Sequence, residues 1–277
     1  MARTPELPSA EAVMNRLGEI SQTTVDFKLK GARNTRTGLE SYAKGVTPWQ
    51  GFDNELFSRK ITVQGLFDVP STTAIIDRIS TPVAKIGEKY GITIITPNKR
   101  DQNQKGHDLQ PHFTMQFPHF GKDTDPNIIR VMRDKLSRPD SELQQAAKKL
   151  QGEIIPFDKL VLAGSMFYIC VGDPTRSERT FASFWDIDEA RTTINTIFKN
   201  VTPPLENPIY NDIIHSGIGR IVKINKSANW DGFADEVYAT VGQQLQSYPI
   251  EAKIGSTYVG DPVIQALSVN ANLINQR

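Results

Sequence analysis

Pro111-His112-Phe113-Thr114-Met115-Gln116-Phe117 alternates polar and apolar residues, the pattern of a strand with one wet and one buried face. It predicts His112, Thr114 and Gln116 on one side and Phe113, Met115 and Phe117 on the other. A histidine and a hydroxyl therefore point together into one space. Upstream, Ile61 to Val69 is rich in β-branched and aromatic residues and stops at Pro70, as a strand does, with Ser71 placed to cap the helix after it. Ile75, Ile79, Val83, Ile86 and Tyr90 then recur at helical spacing until Gly91, with a kink expected at Pro82. Ile92 to Thr96 reads as a short strand, and the polar run from Pro97 to Asp108 as a loop or hairpin tip.

Downstream, residues 126 to 150 carry helical spacing broken by Pro139, so two helices or one interrupted helix fit. Phe157 to Val171 reads as a long strand or a hairpin, and Ile187, Ala190, Ile194 and Ile197 mark a helix that ends before Pro203. Ile213 to Ile224 is a strand, Trp230 to Leu245 a helix, and Ile250 to Val259 a last strand. Helices and strands interleave throughout, which predicts an α/β (α+β) fold with a mixed sheet. Each half holds an alternating strand with an embedded histidine amid the same order of helix, loop and strand, so a duplicated α-β unit is expected. Residues 1–58, with weak periodicity, read as an arm carrying some helix near Glu11 to Ile20. Residues 59–262 read as the main domain and 263–277 as a tail.

Composition narrows the function classes. With 277 residues, 38% hydrophobic and 23% charged, the chain can build a full core without staples. Its 32 basic against 31 acidic residues leave a net charge of +1, so no overall field draws it onto duplex nucleic acid or an acidic membrane. Any anionic ligand must be held locally. The single cysteine, Cys170, lies in an apolar run, which excludes a disulfide scaffold and a cysteine metal cluster. The first residues lack the apolar core of a secretory signal, and the longest apolar stretch, Leu160 to Gly172, falls short of the roughly 20 residues that span a bilayer. A cytoplasmic protein without membrane contact is the expectation.

Histidine can take or give a proton near neutrality, and the chain has four of them: His107, His112, His119 and His215. His112 and His215 both sit inside strand patterns. If those strands are neighbours, the two imidazoles flank one groove as a general acid and a general base. His215 is followed by Ser216, which pleating turns to the far face, and by Gly217, where a same-face hydroxyl would be. Ser216 reaches the groove only if a bulge turns it, whereas Gly217 permits close packing or ligand approach.

Together these segments resemble the two signatures of the two-histidine (2H) phosphoesterases, which include the 2′–5′ RNA ligase and cyclic phosphodiesterase group. That family uses His-x-Thr/Ser twice, each time among apolar neighbours. Pro111 to Phe117 is similar to the first signature, and Tyr210-Asn211-Asp212-Ile213-Ile214-His215-Ser216-Gly217-Ile218-Gly219-Arg220 to the second, with Gly217 in place of the second Thr or Ser. The resemblance spans about residues 60 to 260 and implies a bilobal mixed or antiparallel sheet around a central groove. It further implies that His112 and His215 are catalytic, that Thr114 holds the non-bridging oxygens, and that Gly217, Ser216 and Tyr210 line the substrate site. The implied substrates are cyclic or 2′–5′-linked nucleotides or oligonucleotides, hydrolysed with no metal and no cofactor. A nucleotide or RNA-end binding protein with impaired turnover is the alternative that Gly217 raises.

Blander readings stand beside these. His112 also fits a satisfied, half-buried strand histidine, and His119 and His107 fit solvated surface residues. His107, His112, His119, Asp108 and Asp123 match no metal-ligand spacing. Gly217 and Gly219 lack the third glycine and following helix of a dinucleotide loop. Phe113, Tyr168 and Trp185 are available to stack on a base but fit core positions equally, and Arg220, on the face opposite His215 under regular pleating, fits a surface ion pair.

Overall fold

The computed structural model describes residues 48, 59–97, 111–116, 118–163, 165–172, 177–202, 205–206 and 214–260. The helix expected near Glu11 to Ile20, the tail, His107, Asp108 and Tyr210 lie outside these residues. Along the chain run β1 (Thr62–Phe67), α1 (Val69–Ile75), a wide turn (Ile76–Ser80), α2 (Thr81–Lys89), β2 (Ile92–Ile95), β3 (His112–Gln116) and β4 (His119–Phe120). Then come α3 (Pro126–Leu136), α4 (Glu142–Lys148), β5 (Ile154–Phe157), β6 (Lys159–Ala163), β7 (Met166–Cys170), α5 (Glu178–Lys199) and β8 (Leu205–Glu206). The described chain closes with β9 (His215–Ile224), α6 (Trp230–Val237), a second wide turn (Tyr238–Gly242), α7 (Gln243–Ser247) and β10 (Ile250–Gly260). The fold is α+β. Phe157 to Val171 resolves into the β6–β7 hairpin, and the Pro139 region separates α3 from α4.

One sheet organises the molecule, in the order β5-β10-β1-β3-β9-β7-β6, with β2 also paired to β9. Every pairing in it is antiparallel. Two β-helix-β units are interlocked: β1 returns through α1 and α2 to β2, which pairs with β9, while β9 returns through α6 and α7 to β10, which pairs with β1. Each unit's last strand thus completes the other unit's lobe. The lobe β5-β10-β1-β3 is backed by α3, α4 and α5, and the lobe β2-β9-β7-β6 by α2, α7 and the wide turns.

Between sheet and helices lies the core, including Val63, Ile79, Phe113, Phe157, Phe167, Ile218 and Phe233. Burying each such side chain contributes roughly 1.5–3 kcal/mol. Phe67 meets Phe157 edge-on at 5.7 Å, tying β1 to β5 across β10.

Two local expectations give way to specific alternatives. Asp68, not Ser71, caps α1: its carboxylate accepts from the Ser71 N–H at 2.9 Å. Ser71 is buried, and its Oγ accepts from Lys253 N–H of β10 instead. Before Pro82 the helix widens: Ile76–Ser80 form a five-residue π segment, Ser80 and Thr81 stay right-handed helical, and the chain runs on into α2 with Pro82 just after the widened turn. Gly91 ends α2 with φ +79°, a conformation that favours glycine.

Candidate functional site

The site begins with one pairing. Phe113 of β3 faces Ser216 of β9, and both are fully buried against the helices. In an antiparallel register the flanking residues then oppose each other on the other face, Thr114 against His215 and His112 against Gly217. His112, Thr114, His215 and Gly217 are all half-buried, on the sheet face turned away from Phe113 and Ser216. The two histidines are diagonal neighbours, a placement that separates backbone positions by about 7–8 Å and lets their rings flank a small group between them. The structure therefore brings His112, Thr114, His215 and Gly217 together.

Ser216 does not join them. Pleating turns it into the core, where its Oγ sits 3.5 Å from the Gly217 carbonyl oxygen. The bulge that would have turned it lies further along the strand. On β9, Tyr168 of β7 pairs with Gly217 but Phe167 pairs with Gly219, so Ile218 is the extra residue. Ile218 and Gly219 are consecutively buried, and the inside-outside parity changes after them.

That change corrects the placement of Arg220. Instead of turning to the face opposite His215, it pairs with Met166 and is half-buried beside Tyr168 on the groove side. Burial pulls its guanidinium below the ordinary value, and the neighbouring Tyr168 partly offsets this. Arginine stays charged at neutrality, so a guanidinium stands on this face beside Tyr168. A second bulge corrects Gln116. Val63 pairs with Gln116 but Gln64 with Thr114, leaving Met115 as the extra residue, so Gln116 is buried with Met115 instead of sharing the groove with His112.

The floor widens along two rows. Tyr258 of β10 faces Gln64 of β1, which faces Thr114. Ser256 faces Leu66, which faces His112. On the far side, Met166 packs by Gly217: a Cβ added there would lie 3.1 Å from the Met166 Sδ. Tyr168 meets His215 edge-to-face, with ring centroids 4.9 Å apart. Behind the sheet, α5 presents Arg191, 5% exposed, which donates from Nη2 to the Thr114 carbonyl oxygen at 3.0 Å and lies 4.8 Å over the Phe113 ring. The β3–β9 ladder is one residue pair long, so this guanidinium serves a carbonyl at the point where the strands part.

Tyr210 lies outside the described residues, and His119 is in β4, paired with Glu206. Cys170 is buried, and desolvation followed by the Asp158 charge pushes its thiol up to about 12, so it packs rather than reacts. Among the described residues no group of three or more His, Cys, Asp or Glu side chains could hold a metal ion, and no helix is long and apolar enough to cross a membrane. Gln64 and Arg191 escape the reading of the sequence, which places Arg220 on the wrong face. Arg191 alone left a signal there, since it falls on the apolar stripe of Ile187, Ala190 and Ile194 and so had to be buried.

No protein-family model matches the sequence. No curated protein matches it either. Among solved structures the chain is similar to Kluyveromyces marxianus Usb1, at 10% sequence identity and a TM-score of 0.34, covering 74% of this chain and 99% of that one.

Proposed function

We propose that the groove is the centre of a phosphodiesterase that hydrolyses cyclic or 2′–5′-linked nucleotides or short oligonucleotides by two-histidine general acid–base catalysis. The pairing of Phe113 with Ser216 carries this reading, because it sets His112, Thr114 and His215 on one half-open face. In the proposed step one imidazole accepts a proton from water as its oxygen bonds to phosphorus. The other, protonated imidazole gives its proton to the ribose oxygen as the P–O bond breaks. Thr114 donates a hydrogen bond to a non-bridging oxygen, and Arg220 offsets the charge that accumulates there. The two rings supply donor and acceptor, so the step is written without a metal. Its substrate is a small nucleotide or a single-stranded end, since the balanced overall charge supplies no field to hold a duplex.

A second reading has its own support. Gly217 gives the His215 arm no hydroxyl, and Met166 occupies the space beside it, as in a groove that binds a nucleotide or RNA end and turns it over poorly. One assay separates the two. With 2′,3′-cyclic and 2′–5′-linked substrates and a chelator present, turnover that persists and that His112→Ala abolishes supports the enzyme. Saturable binding without product supports the binder.

A further inference from the structure

The two arms of the groove are unequally equipped. On β3 a hydroxyl, Thr114, stands two residues from His112 on the same face; on β9 the corresponding position is Gly217, and the nearby hydroxyl of Ser216 is turned into the core. A phosphate between the rings presents two non-bridging oxygens, one toward each arm. The oxygen on the β9 side needs a donor that β9's own side chains at 216 and 217 do not supply.

Across the ladder from Gly217 stands Tyr168. With no side chain opposite, its ring lies against His215, edge-to-face at 4.9 Å and 86° between planes. It is half-buried on the groove side, and it interacts electrostatically with Arg220, so phenol and guanidinium face the same region. A phenol is a stronger hydrogen-bond donor than an aliphatic hydroxyl, and a rigid ring fixed by its neighbour is aimed before the substrate arrives. We infer that the Tyr168 hydroxyl donates to the non-bridging phosphate oxygen on the His215 side and takes over from a neighbouring strand the task that position 217 cannot perform. Tyr168 is then a catalytic residue that stabilises charge, not a platform for a base. It transfers no proton in the step; it only shortens its hydrogen bond as the phosphate gains charge. The inference rests on the phosphodiesterase reading above.

Tyr168→Phe keeps the ring and its contact with His215, so it isolates the hydroxyl. Expected is a fall in kcat of about 10²–10³-fold on a 2′,3′-cyclic substrate, the cost of removing one aimed donor. Adding Gly217→Thr to Tyr168→Phe should recover at least about ten-fold of that loss, because it returns a donor to the same arm. The Rp and Sp phosphorothioate analogues give a readout that packing would not move. Sulfur at the oxygen on the His215 side should slow the wild type, and Tyr168→Phe should lose that sensitivity while keeping the sensitivity to sulfur on the Thr114 side. A Tyr168→Phe enzyme within about three-fold of wild-type kcat, with the diastereomer preference intact, would overturn the inference and leave the phosphodiesterase reading standing. Absence of any wild-type turnover would remove both.

Discussion

The two histidine arms reach the same floor but are held in different ways. His112 stands on a strand whose outer neighbour, β1, is laddered to it, and whose backbone is gripped from behind by Arg191 at the Thr114 carbonyl. His215 stands at the start of a ten-residue strand laddered to β7, and its ring is held from the side by Tyr168. One arm is fixed through its backbone by a buried charge, the other through its side chain by a neighbouring ring. Bulges fall at different points as well, at Met115 on β3 and at Ile218 on β9, so the arms present different partners: Thr114 on one, Arg220 on the other. A pair of residues alike in type is thus supported by unlike machinery, and each support can be removed separately.

The largest test of that contrast is removal of either ring. His215→Ala should cost about 10²–10⁴-fold in kcat, as should His112→Ala, because acid and base are both needed in one step. A variant that keeps near wild-type turnover would show that its arm is ornamental. The same logic predicts a bell-shaped pH dependence of kcat/KM in the wild type and loss of one limb in each single variant, read in steady-state assays.

A smaller effect is expected from Thr114→Val, which keeps the branched shape and removes the donor. Its kcat should fall by about 10²-fold with little change in stability, whereas Gly217→Thr alone should bring no gain, since Tyr168 already serves that arm and the added side chain meets only the flexible Met166. Equal responses at positions 114 and 217 would contradict the asymmetry.

Arg191→Leu tests the backbone grip. It leaves the Thr114 carbonyl without this donor at a buried point, so stability to urea should fall by about 1–3 kcal/mol, with a further loss of kcat as β3 loosens. The corresponding probe of the other lobe is Glu236→Gln, where the expected change is the smallest. Glu236 accepts from Lys89 and from Tyr90 Oη, and the Lys89 bond foremost holds its carboxyl below the usual carboxylate range. A depressed carboxyl contributes stability that is present above its unfolded pKa and lost as pH falls through the folded one. The acid limb of a Tm-against-pH curve should therefore flatten slightly in Glu236→Gln, and an unchanged limb would show that solvent already screens the pair.

Much of this was legible in local pattern. The helical stripe ending at Gly91, the break near Pro139, the strand from Ile250 and the pairing of His112 with Thr114 on one face all rest on spacing within a few residues. The groove face was legible on β3 up to Thr114 because pleating there is regular. It failed at Gln116 and at Arg220, where one inserted residue reverses parity without marking the composition. Arg191 shows in the sequence only as a charge on an otherwise apolar helical stripe, which marks burial but names no partner.

By itself, then, the order of residues determined which segments are strand or helix and which of their faces turn inward, since those depend on periodicity that each short segment carries alone. Tertiary structure decided that β3 and β9 are neighbours, that Phe113 meets Ser216, and that two bulges bring Arg220 in and send Gln116 out. The reason is physical: which strand edges pair, and in what register, depends on how two interlocked lobes bury their cores together. That balance is struck between residues about a hundred positions apart, and no local stretch contains it.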